Sequence, residues 1–142
     1  MSGSTETSAN LLNAGGPFES VLPGFAPRQE QLQLAEAIEK TITTGGTLVA
    51  EAGTGIGKTL GYLAAAIPFA RHTGEQVVLS TSSKLLQTQL LEKDIPAAAG
   101  LLGYGDLRFS VMKGRGNYVC RRRLDRFLAA RQAEGATLDP DE

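Results

Sequence analysis

The chain has 142 residues, of which 42% are hydrophobic and 20% are charged. This length and composition predict about one globular domain and exclude a chain that is mainly disordered or fibrous. With 14 basic and 15 acidic side chains the formal net charge is −1, so the overall charge by itself argues for no anionic partner.

Residues 1–24 are rich in Ser, Thr, Gly and Asn and carry few large apolar side chains, so we expect them to form a disordered tail. The N-terminus has neither the basic start nor the apolar core of a signal peptide, and no run of 18 apolar residues occurs. The single cysteine, Cys120, excludes an internal disulfide and fits a reducing compartment. We therefore expect a cytoplasmic protein with no membrane contact.

Beyond the tail, helical and strand-like patterns alternate. Apolar spacing predicts helices that end at Gly45 and Gly74, a third helix that Pro96 stops, and a basic helix over residues 121–134. Apolar or β-branched runs predict strands over residues 47–51, 76–81 and 107–112. Because helices and strands alternate along the chain, the predicted fold class is α/β with a parallel sheet.

Residues 52–59 form a glycine-rich loop between the first predicted strand and the second helix. Its glycines let successive backbone N–H groups point inward at phosphate oxygens, and the following helix N-terminus adds partial positive charge. Lys58 can reach the β and γ phosphates, and the hydroxyl of Thr59 can ligate Mg²⁺. The loop therefore predicts a Walker A site, although Ala52 replaces the first glycine of the strict pattern; the alternative is a plain turn between two packed elements. The residues expected to bind nucleotide here are Ala52, Gly53, Thr54, Gly55, Ile56, Gly57, Lys58 and Thr59.

Positive charge is concentrated near the C-terminal end. Eight of the 14 basic residues lie between Arg108 and Arg131, a span with one acid, Asp125, whereas the first 27 residues contain no basic side chain. This asymmetry indicates an anionic partner for the C-terminal part of the chain.

Four motifs in order make the chain resemble the XPD-like DNA helicases of superfamily two, and within them the DinG and YoaA branch. The motifs are Arg28-x-x-Gln31, the glycine-rich loop with its flanks over residues 51–63, Ser80-Thr81 with the helix over residues 85–96, and Lys113-Gly-Arg115-x-Asn117-Tyr118-x-Cys120. The resemblance covers roughly residues 25–125, and the last motif is the one that selects this branch.

The resemblance implies the N-terminal portion of a RecA-like, parallel-sheet P-loop motor domain over residues 25–112 and the start of an iron–sulfur domain over residues 113–142. It also implies ATP-dependent 5′-to-3′ movement on single-stranded or forked DNA, in DNA repair, with ATP, Mg²⁺ and a [4Fe–4S] cluster as cofactors. It names no protein partner.

The resemblance also assigns roles to individual residues. Lys58 and Thr59 would be the catalytic pair, with Thr59 on Mg²⁺, and Arg28 and Gln31 would hold the adenine. Cys120 would be the first of four cluster ligands. The residues implied to bind nucleic acid are Thr81, Ser82, Arg115, Arg121 and Arg122.

Each of these roles has a simpler structural alternative. A glutamine on an amphipathic helix is usually solvated, as is a run of arginines, and serines that follow a strand usually cap a helix. A lone cysteine is more often a small buried apolar residue than a metal ligand.

The sequence lacks three further cysteines, an acidic strand end and a second motor domain, so we interpret it as an N-terminal fragment that has negligible ATPase activity alone. Two other functions remain open at this point. One is a different P-loop ATPase or kinase, and the other is a fragment that binds nucleic acid without chemistry.

Overall fold

The structure, a computed structural model, describes residues 7–21 and 24–133 and divides into two compact units, with the boundary between Ser110 and Val111. The predictions for residues 1–6, 22–23 and 134–142, which belong to the expected tail and the expected iron–sulfur domain, lie outside the described residues. The α-helices are α1 (Ser8–Leu12), α2 (Pro17–Val21), α3 (Gln29–Thr44), α4 (Lys58–Thr73), α5 (Lys84–Gln89), α6 (Ile95–Leu101) and α7 (Arg121–Ala133). A π-helical turn, Leu90–Asp94, joins α5 to α6, and a 3₁₀ turn, Arg115–Asn117, precedes α7.

The described residues do not form the predicted parallel sheet, and the α/β fold class was wrong. Over residues 7–21 and 24–133 the structure contains helices and irregular segments but no strand. The runs taken as strands leave their apolar side chains in solvent: Val49 is 91% exposed, Val78 87% and Met112 87%. A run of Val and Leu favours a strand only where neighbouring strands pair with its backbone and cover its side chains. Within the described part of the chain, no backbone hydrogen bond joins these segments. Their apolar residues therefore have no neighbouring strand that would favour an extended, paired conformation.

The predicted helices are present with nearly the expected bounds. Gly45 and Gly74 end α3 and α4 with φ values of 77° and 74°, a backbone conformation that glycine adopts without strain. Ser83 caps α5, its side chain accepting a hydrogen bond from the backbone N–H of Leu86 at 3.4 Å.

The sequence predicts that Pro96 stops the third helix, and this prediction is wrong. The chain passes through the π-helical turn Leu90–Asp94 and continues as α6, with Pro96 as the second residue of that helix. A wider π turn removes the conflict because a proline at the start of a helix loses no intrahelical hydrogen bond.

The hydrophobic core of the first unit lies between helices and includes residues that we had assigned to a disordered tail. That expectation was wrong for residues 7–21, which form α1 and α2. The fully buried Leu11, Leu12 and Phe18 join Leu63, Ala64 and the other core residues Ala35, Ile67, Ala98 and Leu102. Three apolar side chains in two five-residue helices were too weak a pattern to see in the sequence, but burying them offsets the entropy of ordering the segment.

A hydrogen-bonded contact ties α1 to α3. The backbone N–H of Ser8 donates to the carboxylate of Glu39 at 2.8 Å, and the Ser8 hydroxyl donates to the same oxygen at 2.5 Å. Ser8 is 1% exposed, so these bonds satisfy polar groups that water does not reach. They also place a negative charge at the N-terminus of α1, where the helix dipole favours it.

The second unit consists of the 3₁₀ turn and α7, and its described residues are largely exposed. The Tyr118 hydroxyl accepts a hydrogen bond from the backbone N–H of Lys113 at 2.8 Å, and the Asn117 side chain donates to the Gly114 carbonyl at 2.9 Å. These bonds shape the segment before α7. Within residues 7–21 and 24–133, no helix combines the length and apolar character required to cross a membrane.

Candidate phosphate-binding site

The glycine-rich loop connects an irregular segment to α4. Gly55 and Gly57 have φ values of 81° and 80°, which side chains of L-residues rarely allow. Gly57 is the N-cap of α4 in the left-handed conformation, and Lys58 and Thr59 are the first two residues of that helix. Gly53, Thr54, Gly55, Gly57 and Lys58 are exposed, and Ala52, Ile56 and Thr59 are partly buried. The loop is therefore open to a ligand at the N-terminus of a long helix.

The ammonium group of Lys58 folds back onto this loop. Its Nζ atom donates to the Ala52 carbonyl at 2.9 Å and to the Gly53 carbonyl at 2.7 Å. A lysine ammonium has three donors, so two are committed to the loop and the third is available to a ligand. The arrangement keeps a positive charge at the loop and adds it to the partial charge of the α4 N-terminus.

Gln31 is held against the loop from the side. Its side chain is in the first turn of α3, is 2% exposed, and donates from Nε2 to the Gly57 carbonyl at 2.7 Å. The structure therefore places Gln31, one of the two predicted nucleotide-binding residues at the start of α3, against the loop. Arg28, the N-cap residue of the same helix, is exposed and makes no side-chain capping bond.

Sequence reasoning missed Gly61, which is buried one turn after Gly57 on α4. A Cβ atom at Gly61 would approach the Gln31 backbone oxygen to 3.4 Å and the Gln31 Cγ atom to 3.6 Å. These are ordinary van der Waals distances, so the packing around Gly61 would accept a Cβ atom. The signal was in the sequence, as a glycine four residues after Gly57, but its partner was not.

Thr81 and Ser82 precede α5. The hydroxyl of Thr81 accepts a hydrogen bond from the backbone N–H of Ser83 at 3.5 Å, Ser82 is exposed, and Ser83 provides the cap. The structural alternative of helix capping is therefore confirmed for Ser83, and the structure gives Thr81 a local turn-forming role.

The second unit holds the remaining predicted residues. Arg115 opens the 3₁₀ turn, Cys120 is exposed immediately before α7, and Arg121 and Arg122 are exposed in the first turn of α7. Positive side chains at a helix N-terminus oppose the helix dipole, and this first turn contains no acid. No ion pair relieves them in the described residues of this unit. Within the described part of the chain no group of three or more His, Cys, Asp or Glu side chains is arranged to hold a metal.

Comparison with known proteins identifies relatives that are named ATP-dependent DNA helicases. The chain is 43% identical over 121 residues to YoaA of Haemophilus influenzae, which covers 85% of the chain and 18% of the relative. It is 43% identical over 110 residues to YoaA of Escherichia coli and 41% identical over 109 residues to DinG of Salmonella typhimurium, covering 78% and 75% of the chain. The same segments are 16% and 15% of those relatives.

These relatives confirm the resemblance that the motifs indicated: over most of its length the chain matches the sequences of DinG and YoaA helicases. The chain spans less than a fifth of the length of the curated relatives it matches. No model of a protein family and no solved structure matched it.

Proposed function

We propose that residues 52–59 bind the phosphates of ATP with Mg²⁺, and that the chain is the ATP-binding part of an ATP-dependent DNA helicase. The observation that supports this most directly is the open loop at the N-terminus of α4, with glycine φ values near 80° and the ammonium of Lys58 held at the loop. Relatives that carry the name ATP-dependent DNA helicase give the proposal its substrate class.

The chemistry of binding follows from the residues of the loop. Backbone N–H groups from Gly53 to Thr59 would donate to phosphate oxygens, because the first N–H groups of a helix have no intrahelical partner. Lys58 would exchange its carbonyl contacts for a charge-assisted bond to phosphate. Thr59, as the second residue of α4, would ligate the Mg²⁺ that bridges the phosphates. Arg28 would contact the nucleotide from the start of α3.

The second unit would bind single-stranded or forked DNA through Arg115, Arg121 and Arg122, and Thr81 and Ser82 would add contacts from the first unit. The supporting observation is a helix whose first turn is basic, exposed and without an ion pair in the described residues. Phosphate neutralisation would relieve the repulsion among these arginines. In the whole protein, ATP hydrolysis would drive 5′-to-3′ translocation during DNA repair in the cytoplasm.

Iron–sulfur chemistry is a separate matter. A [4Fe–4S] cluster requires four thiolates, and the chain has one cysteine. The residues present therefore do not hold a cluster by themselves. Cys120 is proposed only as one of the four ligands in a protein that supplies the others.

The test is calorimetric titration with Mg²⁺ and a non-hydrolysable ATP analogue. Lys58→Ala is expected to weaken binding at least about tenfold, since a hydrogen bond to a charged group contributes about 1.5–3 kcal/mol. Lys84→Ala is the matched control because Lys84 is also an exposed first residue of a helix, and it should change affinity less than about twofold.

Equal affinity of the Lys58→Ala variant and the unmodified chain would contradict the proposal. Single-stranded DNA should change nucleotide affinity if the chain is part of a helicase, and an absence of any change would favour the other P-loop enzymes. The isolated chain is expected to hydrolyse ATP at a negligible rate, which a phosphate-release assay measures.

A further inference from the structure

The basic helix α7 carries a phenylalanine that the structure leaves in solvent. Phe127 is 57% exposed, and none of the 13 residues of this helix is buried. A phenylalanine in water lacks the favourable free energy that burial of its ring would supply. The packing of α7 therefore does not account for an aromatic side chain at this position.

Arginines flank that ring along one side of the helix. Arg123 and Arg131 are four residues before and four residues after Phe127, so the three side chains are neighbours on the same side of α7. The guanidinium carbon of Arg131 lies 5.8 Å from the centre of the Phe127 ring, within the range of a cation–π contact. Arg123 is exposed one turn away. These three side chains form a surface, the Arg–Phe face, that combines positive charge with an aromatic ring.

The charge of α7 indicates the chemical class of a ligand for this face. The helix contains five arginines and one acid, Asp125, and among the described residues of the second unit no ion pair neutralises an arginine. An anionic ligand would reduce the repulsion among the arginines. A ligand with flat apolar groups would also cover the ring of Phe127. Single-stranded nucleic acid has both features, because its phosphates are charged and the faces of its bases stack on aromatic side chains.

A double helix does not offer the same contact. Its bases already stack on one another, so a protein ring reaches a base face only after unstacking, which costs free energy. An anionic membrane is another possible ligand for a basic helix, but it would require a broad apolar surface. The large apolar side chains that α7 exposes are Leu124 and Phe127, which form a narrow stripe. The Arg–Phe face therefore matches a single strand better than a duplex or a lipid surface.

We propose that Phe127 is a base-stacking residue: one base of a single-stranded nucleic acid lies on its ring, while Arg123 and Arg131 contact the adjacent phosphates. This inference rests on the function proposed above and adds three contacts to it. Arginine contacts to phosphate form with single strands and duplexes alike. The stacking contact of Phe127 is the one that distinguishes the two, so Phe127 is a specificity-determining residue of the second unit.

The experiment measures binding of three nucleic acids of equal length by fluorescence anisotropy: a single strand, a strand made of abasic units and a duplex. The abasic strand keeps the phosphates but has no bases. Phe127→Ala should weaken binding of the single strand about tenfold and change binding of the other two less than about twofold. Phe109→Ala is the matched control, because Phe109 is 40% exposed in the first unit, and it should change all three affinities less than about twofold.

The salt dependence separates the ring from the arginines. Phe127→Ala removes no charge, so the slope of log affinity against log salt for the single strand should stay unchanged. Arg123→Ala should reduce that slope by about 0.7, the contribution of one phosphate contact on a single strand. An unchanged slope in Arg123→Ala would remove this arginine from the proposed site.

Two results would overturn the assignment of Phe127. One is an equal loss for the single strand and the abasic strand in Phe127→Ala, and the other is no loss for either. Weaker binding of this variant to phosphatidylglycerol vesicles, with unchanged binding to the single strand, would assign the face to a membrane instead. If the unmodified chain bound none of the three nucleic acids, the DNA contact proposed for the whole second unit would fail, which differs from a result confined to one variant.

A second readout reports on the ring directly. The chain contains no tryptophan, so Phe127→Trp introduces a single indole at the site. Because an indole also stacks on bases, the single strand should quench its fluorescence, whereas the abasic strand should not. Phe109→Trp is the control and should be quenched by neither. Equal quenching of Phe127→Trp by both strands, or by neither, would contradict the stacking contact.

Circular dichroism of every variant compares its helix content with that of the unmodified chain. Because Phe127 is exposed, its substitution should leave the helix content unchanged.

Discussion

The glycine-rich loop of the first unit and the basic segment of the second unit are both proposed to bind phosphate groups, but they are built differently. Around the loop, a buried glutamine that bonds to the Gly57 carbonyl and a lysine that bonds to the Ala52 and Gly53 carbonyls fix the geometry. In α7 four arginines, Arg121, Arg122, Arg123 and Arg126, are exposed, and the apolar Leu124 and Phe127 are 43% and 57% exposed. The first region depends on packing and directed bonds, and the second depends on charge, so different perturbations should affect them.

The largest expected difference comes from removing the same side chain in both units. Phe18 is fully buried and its ring lies 6.1 Å from that of Phe25, so Phe18→Ala should lower the free energy of unfolding by about 3–5 kcal/mol. Phe127 is 57% exposed and lies 5.8 Å from the Arg131 guanidinium, so Phe127→Ala should cost no more than about 0.5–1 kcal/mol. Urea unfolding of each variant measures both values. Equal losses would mean that the packing contrast between the units is not real.

The next effect tests whether charge is what the second unit contributes. Arg121→Ala/Arg122→Ala should weaken binding of a single-stranded oligonucleotide at least about tenfold at low salt and reduce the slope of log affinity against log salt by about 1.4, since each phosphate contact contributes about 0.7. Fluorescence anisotropy across a salt series gives both quantities. Arg71→Ala is the control, because Arg71 pairs with Asp106 at 3.1 Å in the first unit and has no predicted DNA contact. An unchanged slope in the double variant would remove these arginines from the proposed DNA contact.

The smallest effect separates two adjacent serines. Ser83 caps α5, so Ser83→Ala should destabilise the first unit by about 1 kcal/mol, whereas the exposed Ser82 should tolerate alanine within about 0.5 kcal/mol. If Ser82 also contacts DNA, its alanine variant should lose oligonucleotide affinity without losing stability. If alanine at Ser82 alone lowered the stability, Ser82 would be the cap of α5 and the assignment of the cap to Ser83 would be wrong.

The sequence predicted those features that local chemistry determines. The ends of α3 and α4 at glycines and the Lys58 position at a helix N-terminus follow from a few neighbouring residues, and the structure has them. The family was also evident, because four motifs in order are a stronger signal than any one of them.

Features that depend on distant residues were not predicted. The bond between Gln31 and Gly57 joins residues 26 apart, and the burial of Phe18 depends on helices far along the chain. The strand assignments failed for the same reason, since a segment such as residues 76–81 is apolar whether or not another strand lies beside it.

The two short helices before residue 22 determine how this chain can be shortened for laboratory work. A shorter version that starts near residue 25 would expose the apolar sides of α3, α4 and α6 that α1 and α2 now cover. Exposed apolar surface promotes self-association and lowers solubility. Expression designs should therefore keep the leading segment, even though it carries none of the motifs by which the chain is recognised.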